Sequence, residues 1–171
     1  MSTHVIGPKD GPLVDLAGVG VRFLLDAERT GGGFSLVEHP IAPRTLGSPV
    51  HTHSREDEWS FVLEGRVGLL IGGDEVEAGP GDLVLKPRGV PHAFWNATDD
   101  PARFLEIISP AGFEQYFAEA AEMFTPGEPD MEAFGALCER YGLDMRFESV
   151  PELAARHGLP LPPEADLADG A

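Results

Sequence analysis

Three histidines and one glutamate have the types and spacing of a metal site. His51 and His53 lie two residues apart, Glu58 follows five residues later, and His92 comes much further along the chain. On a β-strand, side chains at i and i+2 leave the same face about 7 Å apart, so the imidazoles of His51 and His53 can reach one point. Three neutral imidazoles and one carboxylate that converge suit a divalent first-row metal. The spacing therefore predicts a metal centre.

The phase of Glu58 requires a turn before it. An unbroken strand would place Glu58 and His53 on opposite faces, because five residues is an odd separation. The polar segment 54–57 predicts a turn that resets the alternation, and His92 likewise follows a turn and opens a strand. The predicted lining of a substrate pocket is the set of side chains that share a face with Glu58 or His92: Ser60, Val62, Phe94 and Asn96.

The elements that must position these side chains are short β-strands. Between residues 19 and 109, β-like runs alternate with Gly, Pro and Asp, and no helical pattern intervenes, which indicates an antiparallel sandwich or barrel. Two of the runs flank Gly65 and are predicted to form a hairpin. The predicted strands are Val19–Asp26, Phe34–Ile41, Glu58–Glu64, Arg66–Ile71, Glu75–Glu77, Asp82–Lys86, His92–Asn96 and Arg103–Ser109.

After residue 109, aromatic and apolar residues recur at helical spacing. The first helix is predicted to begin at Ser109-Pro110, as N-cap and first turn. The second is predicted to begin at Asp130 and end at Gly142, and the third to begin with a capping box of Ser149 and Glu152 and end at Gly158. The predicted organisation is an N-terminal arm over 1–18, a β-domain over 19–109, helices over 110–158 that pack on it, and a mobile tail over 159–171.

The segment 81–96 carries five residue types at fixed intervals. They are Gly81, Pro87, Gly89, His92 and Asn96. Together with His51, His53, Glu58 and Gly65, they resemble the two sequence motifs of the cupin superfamily. The opening glycine of the first motif departs from the pattern, because Gly47 lies four positions before His51 rather than six.

The resemblance implies a mainly β fold, an antiparallel double-stranded β-helix (jelly-roll) barrel that is commonly dimeric. It also implies that His51, His53, Glu58 and His92 bind one divalent transition metal. The C-terminal helical extension is similar to that of some single-domain bacterial cupins of the quercetinase type. Four protein ligands leave one or two positions open on a metal that prefers five or six, which is typical of a catalytic site. Iron, manganese, nickel or cobalt is expected rather than zinc.

Three classes of function are open at this point. The favoured one is a metal-dependent dioxygenase that acts on a small hydrophobic or aromatic, enolisable or hydroxylated substrate, with Glu58 able to detach and act as a base. The alternatives are a non-redox isomerase, cyclase or lyase that uses the metal as a Lewis acid, and a small-molecule-binding cupin without catalysis.

Composition limits the partners. The 171-residue chain has a net charge of −17, which opposes binding to nucleic acid. No run approaches the roughly 20 apolar residues that span a bilayer, and no signal peptide is recognisable, so a cytoplasmic protein is expected. The single cysteine, Cys138, excludes an internal disulfide and a thiolate metal cage.

The remaining polar residues are predicted to carry no chemistry. Cys138 is expected to be a packed thiol. The strand phase at Glu106 is ambiguous, so its side chain could face into the barrel or out to solvent. The inward direction is the less favoured prediction. The residues predicted to be solvated or at the surface are Glu56, Asp57, Glu64, His4, His39 and His157.

Overall fold

The computed structural model describes residues 4–124 and 130–161. Within them it contains twelve strands, four α-helices and one short 3-10 helix. The strands are β1 (Leu13–Leu16), β2 (Val19–Leu25), β3 (Ser35–Ile41), β4 (Thr45–Leu46), β5 (Val50–His53), β6 (Asp57–Glu64), β7 (Val67–Ile71), β8 (Asp74–Ala78), β9 (Leu83–Lys86), β10 (His92–Asn96), β11 (Ala102–Ser109) and β12 (Leu143–Arg146). The helices are α1 (Ala27–Thr30), α2 (Glu114–Met123), α3 (Met131–Tyr141) and α4 (Val150–His157), with the 3-10 helix at Phe147–Ser149.

Two antiparallel sheets form a jelly-roll barrel. The strand order is β1-β2-β3-β11-β6-β9 in the first sheet and β12-β5-β10-β7-β8 in the second, with β4 also paired to β10. The prediction of a mainly β antiparallel barrel with C-terminal helices is therefore confirmed. None of the helices in the described parts of the chain is both long enough and apolar enough to span a membrane.

The predicted hairpin across Gly65 is wrong. Strand β6 pairs with β11 and β9, whereas β7 pairs with β10 and β8, so the chain changes sheet at Gly65. Gly65 has a φ of 72°, and a Cβ there would lie 2.5 Å from the carbonyl oxygen of Pro101. Glycine is thus needed here because the backbone passes close to Pro101 as it crosses between the sheets, and not because of a hairpin turn.

The barrel interior changes from apolar to polar along β6. Its inward residues are Val62, Ser60 and Glu58, all buried. Ser60 lies opposite Glu106 of β11, and Glu58 lies opposite Lys86 of β9. Below Ser60 the interior is filled by an apolar cluster: Val19, Ile41, Val62, Val67, Leu69, Ala78, Val84, Phe94, Ala102 and Phe104. The metal-ligand candidates therefore lie at the other end of the barrel.

The C-terminal segment both extends a sheet and covers the barrel. Strand β12 pairs with β5, with Met145 opposite His51 and Leu143 opposite His53. The buried face of α2 and α3 packs on Val21, Val37 and Ile108. We call its aromatic and apolar side chains the helical cap: Phe113, Tyr116, Phe117, Ala120, Phe134, Leu137, Cys138 and Tyr141. The cap includes Cys138, which is buried as predicted.

Helix boundaries agree with the predictions where the signal is a local backbone conformation. Asp130 accepts hydrogen bonds from two backbone N–H groups of α3, and Gly142 and Gly158 end α3 and α4 in the left-handed conformation. The cap predicted at Ser109 is wrong, whereas Ser149 directly precedes α4 as predicted but makes no capping hydrogen bond. Helix α2 begins at Glu114, and Ser149 Oγ donates to the Arg146 carbonyl and accepts from Val50 N–H, so this hydroxyl fastens β5.

The chain ends differ in part from the predicted arm and tail. Within the segment predicted as an arm, β1 pairs with β2, and Val14 and Leu16 pack against the helical cap. At the other end, Leu159 is buried beside Leu153. Most of the predicted tail, residues 162–171, lies outside the described residues.

Candidate metal centre

Three backbone segments bring the four predicted ligands together. His51 and His53 lie on β5, Glu58 on β6, and His92 at the start of β10 directly opposite His51. The chain leaves β5 through a bend at 54–55, so β6 begins with a new phase and Glu58 faces inward as predicted. One ligand atom from each side chain lies within 4.8 Å of the others, and all four residues are buried.

Backbone carbonyls orient two of the candidate imidazole ligands. His51 Nδ1 lies 2.9 Å from the Pro49 carbonyl oxygen, and His92 Nδ1 lies 3.0 Å from that of Val90. Since a carbonyl only accepts, each Nδ1 donates its proton and each Nε2 keeps a free lone pair. His92 Nε2 lies 3.1 Å from Glu58 Oε2, and His53 Nε2 lies 3.4 Å from Glu58 Oε1, so each carboxylate oxygen faces one imidazole.

Glu56 lies beside the third imidazole and corrects a prediction. It was expected to be solvated, but the bend after β5 folds it back and only 6% of it is exposed. Its Oε2 lies 3.7 Å from His53 Nδ1, on the side of the ring opposite Glu58, and neither atom has a hydrogen-bond partner among the described residues. Glu56 is therefore the carboxylate that faces the outer nitrogen of His53, at a distance longer than a hydrogen bond.

The electrostatics of the centre suit a cation. Burial acts to raise the pKa of Glu58, but His53, Lys86 and His92 outweigh it, and the pKa lies well below its usual range. Burial is the main cause that lowers the pKa of His51 and of His92. These shifts favour an ionised Glu58 carboxylate and neutral His51 and His92 imidazoles, the forms that bind metal.

Comparison with protein families decides the classification. Residues 38–108, from β3 to β11, match the family model described as a cupin domain, and the match includes all four ligands. The chain contains a cupin domain. No protein of curated function matches the sequence.

Solved structures share the barrel of this cupin domain. KdgF from Halomonas sp. is 16% identical, with a TM-score of 0.58 over 67% of this chain and 99% of that one. A predicted oxalate decarboxylase from Thermotoga maritima is 19% identical, with a TM-score of 0.58 over 62% of this chain and 98% of that one. The polyketide cyclase RemF from Streptomyces resistomycificus is 29% identical, with a TM-score of 0.55 over 63% of this chain and 80% of that one.

Below the ligands, the cupin domain contains three polar side chains that we call the polar layer: Ser60, Lys86 and Glu106. Lys86 Nζ lies 3.1 Å from Glu58 Oε2 and 2.6 Å from Glu106 Oε2. Ser60 Oγ donates to both Glu106 oxygens, at 3.1 and 3.2 Å. Glu106 thus faces inward, against the favoured prediction. Lys86 was missed because a lysine on a strand is ordinarily exposed. Its alternation with Val84 was the available signal.

The residues of the predicted pocket have different surroundings. Ser60 belongs to the polar layer, while Val62 and Phe94 belong to the apolar cluster. Asn96 is not brought to the metal centre. Its amide donates to the carbonyl oxygens of Ala42 and Asp100 and so holds the loop after β10, four residues along the strand from His92.

Two of the histidines predicted at the surface are largely removed from solvent. His39 is 3% exposed, and its Nδ1 lies 3.0 Å from the Gly20 carbonyl oxygen. Burial lowers its pKa to about 4. The side chain of His157 is 15% exposed, and its ring stacks on Trp95 at 3.9 Å between centroids. His4 is exposed, as predicted.

The carboxylates near β6 differ in exposure. The side chain of Glu64 is 61% exposed, as predicted for the outer face of β6. Asp57 is half-buried and accepts hydrogen bonds from the backbone and the guanidinium of Arg88. Neither residue belongs to the centre.

The helical cap closes the ligand end of the barrel. The Phe113 ring stands edge-on to His53 at 4.4 Å between centroids and is 2% exposed. Access from this side therefore depends on the segment that leads into α2.

Proposed function

We propose that this protein is a metal-dependent enzyme, in the first place a dioxygenase, that acts on a small hydrophobic or aromatic substrate with an enolisable or hydroxyl group. The observation that carries the proposal is the convergence of four buried donors, His51, His53, Glu58 and His92, within 4.8 Å of one another. The nitrogen-rich donor set with one carboxylate suits iron, manganese, nickel or cobalt.

The charges favour an anionic substrate group. A divalent ion bound by one carboxylate and three neutral imidazoles leaves one positive charge, and Lys86 and Glu106 cancel each other. An enolate or a deprotonated hydroxyl would neutralise that charge at contact distance, where the distant surface charges of the −17 chain are screened. When bound, the metal supplies Lewis acidity and, if it is redox-active, the means to use dioxygen.

Glu58 is better suited as a ligand than as a base. Its low pKa keeps the carboxylate ionised, which favours metal binding, and makes it a weak proton acceptor. The catalytic role predicted for Glu58 therefore requires that the carboxylate leave the ion and also move away from His53 and Lys86, which hold its pKa down.

A non-redox cyclase or isomerase is the second candidate. The likeness to the polyketide cyclase RemF, at 29% identity and a TM-score of 0.55, favours it. In such a reaction the same site would hold an enolisable carbonyl, and no dioxygen would be consumed.

Metal analysis and oxygen uptake test the proposal. Protein purified without added metal is analysed for its elements, then assayed with flavonols, catechols and 1,3-diketones under air and under anaerobic conditions. Oxygen consumption that depends on the metal supports a dioxygenase, and anaerobic turnover supports the second candidate. Metal-free protein that binds these compounds as tightly and has no turnover when loaded would overturn both in favour of a binding module.

A matched variant links activity to the site. His53→Ala is expected to abolish turnover, whereas Thr52→Ala is expected to retain it, because Thr52 lies on the same strand with its side chain on the opposite face.

A further inference from the structure

The polar layer is connected to the metal centre by one continuous chain of contacts. Ser60 donates to Glu106, Glu106 contacts Lys86, and Lys86 contacts Glu58. Lys86 is 3% exposed, Glu106 2% and Ser60 1%. Three polar side chains inside a barrel are costly to bury unless each is paired, and here each one is.

Lys86 acts on Glu58 in two opposing ways. Its Nζ lies 3.1 Å from Glu58 Oε2, so the ammonium holds that oxygen, which also lies 3.1 Å from His92 Nε2. The other oxygen, Oε1, lies 3.4 Å from His53 Nε2. A positive charge this close also repels a divalent cation in the same centre. A lysine alone would therefore orient the carboxylate but weaken the metal site.

Glu106 offsets the repulsion between Lys86 and a divalent cation. Its Oε2 lies 2.6 Å from Lys86 Nζ, closer than Glu58 does, and Ser60 holds the Glu106 carboxylate in place. On its other sides Nζ faces the rings of Phe94 and Phe104, each 5.9 Å away at the centroid. The two carboxylates are thus the ion-pair partners of Lys86 among the described residues, and they fix its position.

We propose that Lys86 and Glu106 are positioning residues of the metal centre: Lys86 holds one oxygen of Glu58 and leaves the other for the ion, and Glu106 neutralises Lys86 so that the ion is not repelled. This inference rests on the metal binding proposed above. A purely structural role explains the arrangement less well, because apolar side chains fill the same interior one layer below without any desolvation of charge.

Co²⁺ affinity in a double-mutant cycle tests the neutralising role. Co²⁺ is titrated into wild type, Glu106→Gln, Lys86→Met and the double variant, with a competing chelator. Glu106→Gln is expected to weaken binding by about 10- to 100-fold. The double variant is expected to recover most of that loss, because the cation that Glu106 neutralises is gone.

A structural role for the pair predicts the opposite result for the double variant. If it bound Co²⁺ no more tightly than Glu106→Gln, or if Glu106→Gln bound with wild-type affinity, the inference would be overturned. Glu64→Gln is the matched control, since it removes the same charge from the exposed face of β6. Thermal unfolding without metal confirms that each variant is folded.

The Co²⁺ absorption spectrum tests the positioning role. In Lys86→Met, Glu58 Oε2 is released and can join Oε1 on the ion, so the visible bands are expected to lose intensity as coordination number rises. An unchanged spectrum would contradict the role of Lys86. If wild type bound no Co²⁺, the proposed function would itself fail; wild-type binding with unresponsive variants would contradict only this inference.

Discussion

His39 shows how burial alone changes the chemistry of a side chain in this barrel. Its ring packs 5.0 Å from Phe104 and 5.4 Å from Phe117, and burial lowers its pKa from 6.5 to about 4 despite the hydrogen bond to Gly20. The charges that face it are Lys86, which lowers the pKa further, and Glu58, which raises it. The imidazole is therefore neutral in the folded protein wherever it would titrate in the unfolded chain.

The low pKa of His39 predicts a loss of stability in acid. Its contribution is complete above pH 6.5, and it is lost as the pH falls towards about 4, because the unfolded chain binds the proton first. Relative to His39→Gln, wild type is expected to lose about 2 kcal/mol of unfolding free energy by pH 5. Urea unfolding of both proteins at several pH values measures this, and a difference independent of pH would contradict the assignment.

The ligand set makes a second prediction at this scale. His53→Ala should lose stoichiometric metal on dialysis, because a nitrogen donor at the centre is missing. The barrel should remain folded, with a loss of about 1–3 kcal/mol from the deleted buried ring, because apolar burial rather than the ion supplies most of the stability. Elemental analysis and circular dichroism give the two readouts. Stoichiometric metal in the variant would make the ligand assignment wrong, and Thr52→Ala is the control.

At the scale of elements, α2 and the residues before it control the covered end of the barrel. Within the helical cap, the Phe113 ring contacts His53, one of the four candidate metal ligands. Phe134 lies in the same cluster on α3 and contacts Tyr116 and Phe147 instead. The two phenylalanines have similar burial and different positions relative to the centre.

This difference predicts separate effects on metal release. Phe113→Leu and Phe134→Leu should each cost on the order of 1 kcal/mol of stability, because each replaces a buried aromatic ring with a smaller side chain. Only Phe113→Leu should speed transfer of bound Co²⁺ to a chelator, because it thins the cover over His53. Stopped-flow transfer rates for the two variants provide the comparison, and equal rates would show that the ion does not leave by this side.

At the scale of the whole molecule, the homodimer predicted from the resemblance remains a proposal. Because the net charge is −17, copies of the chain repel each other, so a dimer requires an apolar contact whose burial outweighs this repulsion. Such a face lies on the outer side of β6 and the edge strand β9, where Phe61, Leu83 and Leu85 are exposed. A second copy would remove these side chains from water.

Sedimentation velocity tests the dimer. Wild type is expected to sediment as a dimer and Leu85→Glu as a monomer, because the new carboxylate would be buried in the contact. Val76→Glu is the matched control. Val76 is 45% exposed on β8 of the other sheet, so that variant should remain dimeric. A monomeric wild type, or a dimer unaffected by Leu85→Glu, would contradict the proposed face.

The sequence by itself determined the features that depend on nearby residues. The i, i+2 spacing of His51 and His53 and the polar turn before Glu58 predicted that these three side chains converge, and the block that contains His92 completed the resemblance to the cupin motifs. Asp130 and Gly142 marked the ends of α3. These signals work because strand alternation and helix caps are fixed by the local backbone.

Only the tertiary structure decided which polar groups are buried and what they contact. Lys86 reaches Glu58 and Glu106 from 28 and 20 residues away, and His39 is enclosed by the helical cap. Alternation places a side chain on one face of a strand, but the partners of that strand decide whether the face is inside. For the same reason the crossing at Gly65, which depends on the chain at Pro101, could not be distinguished from a hairpin turn in the sequence.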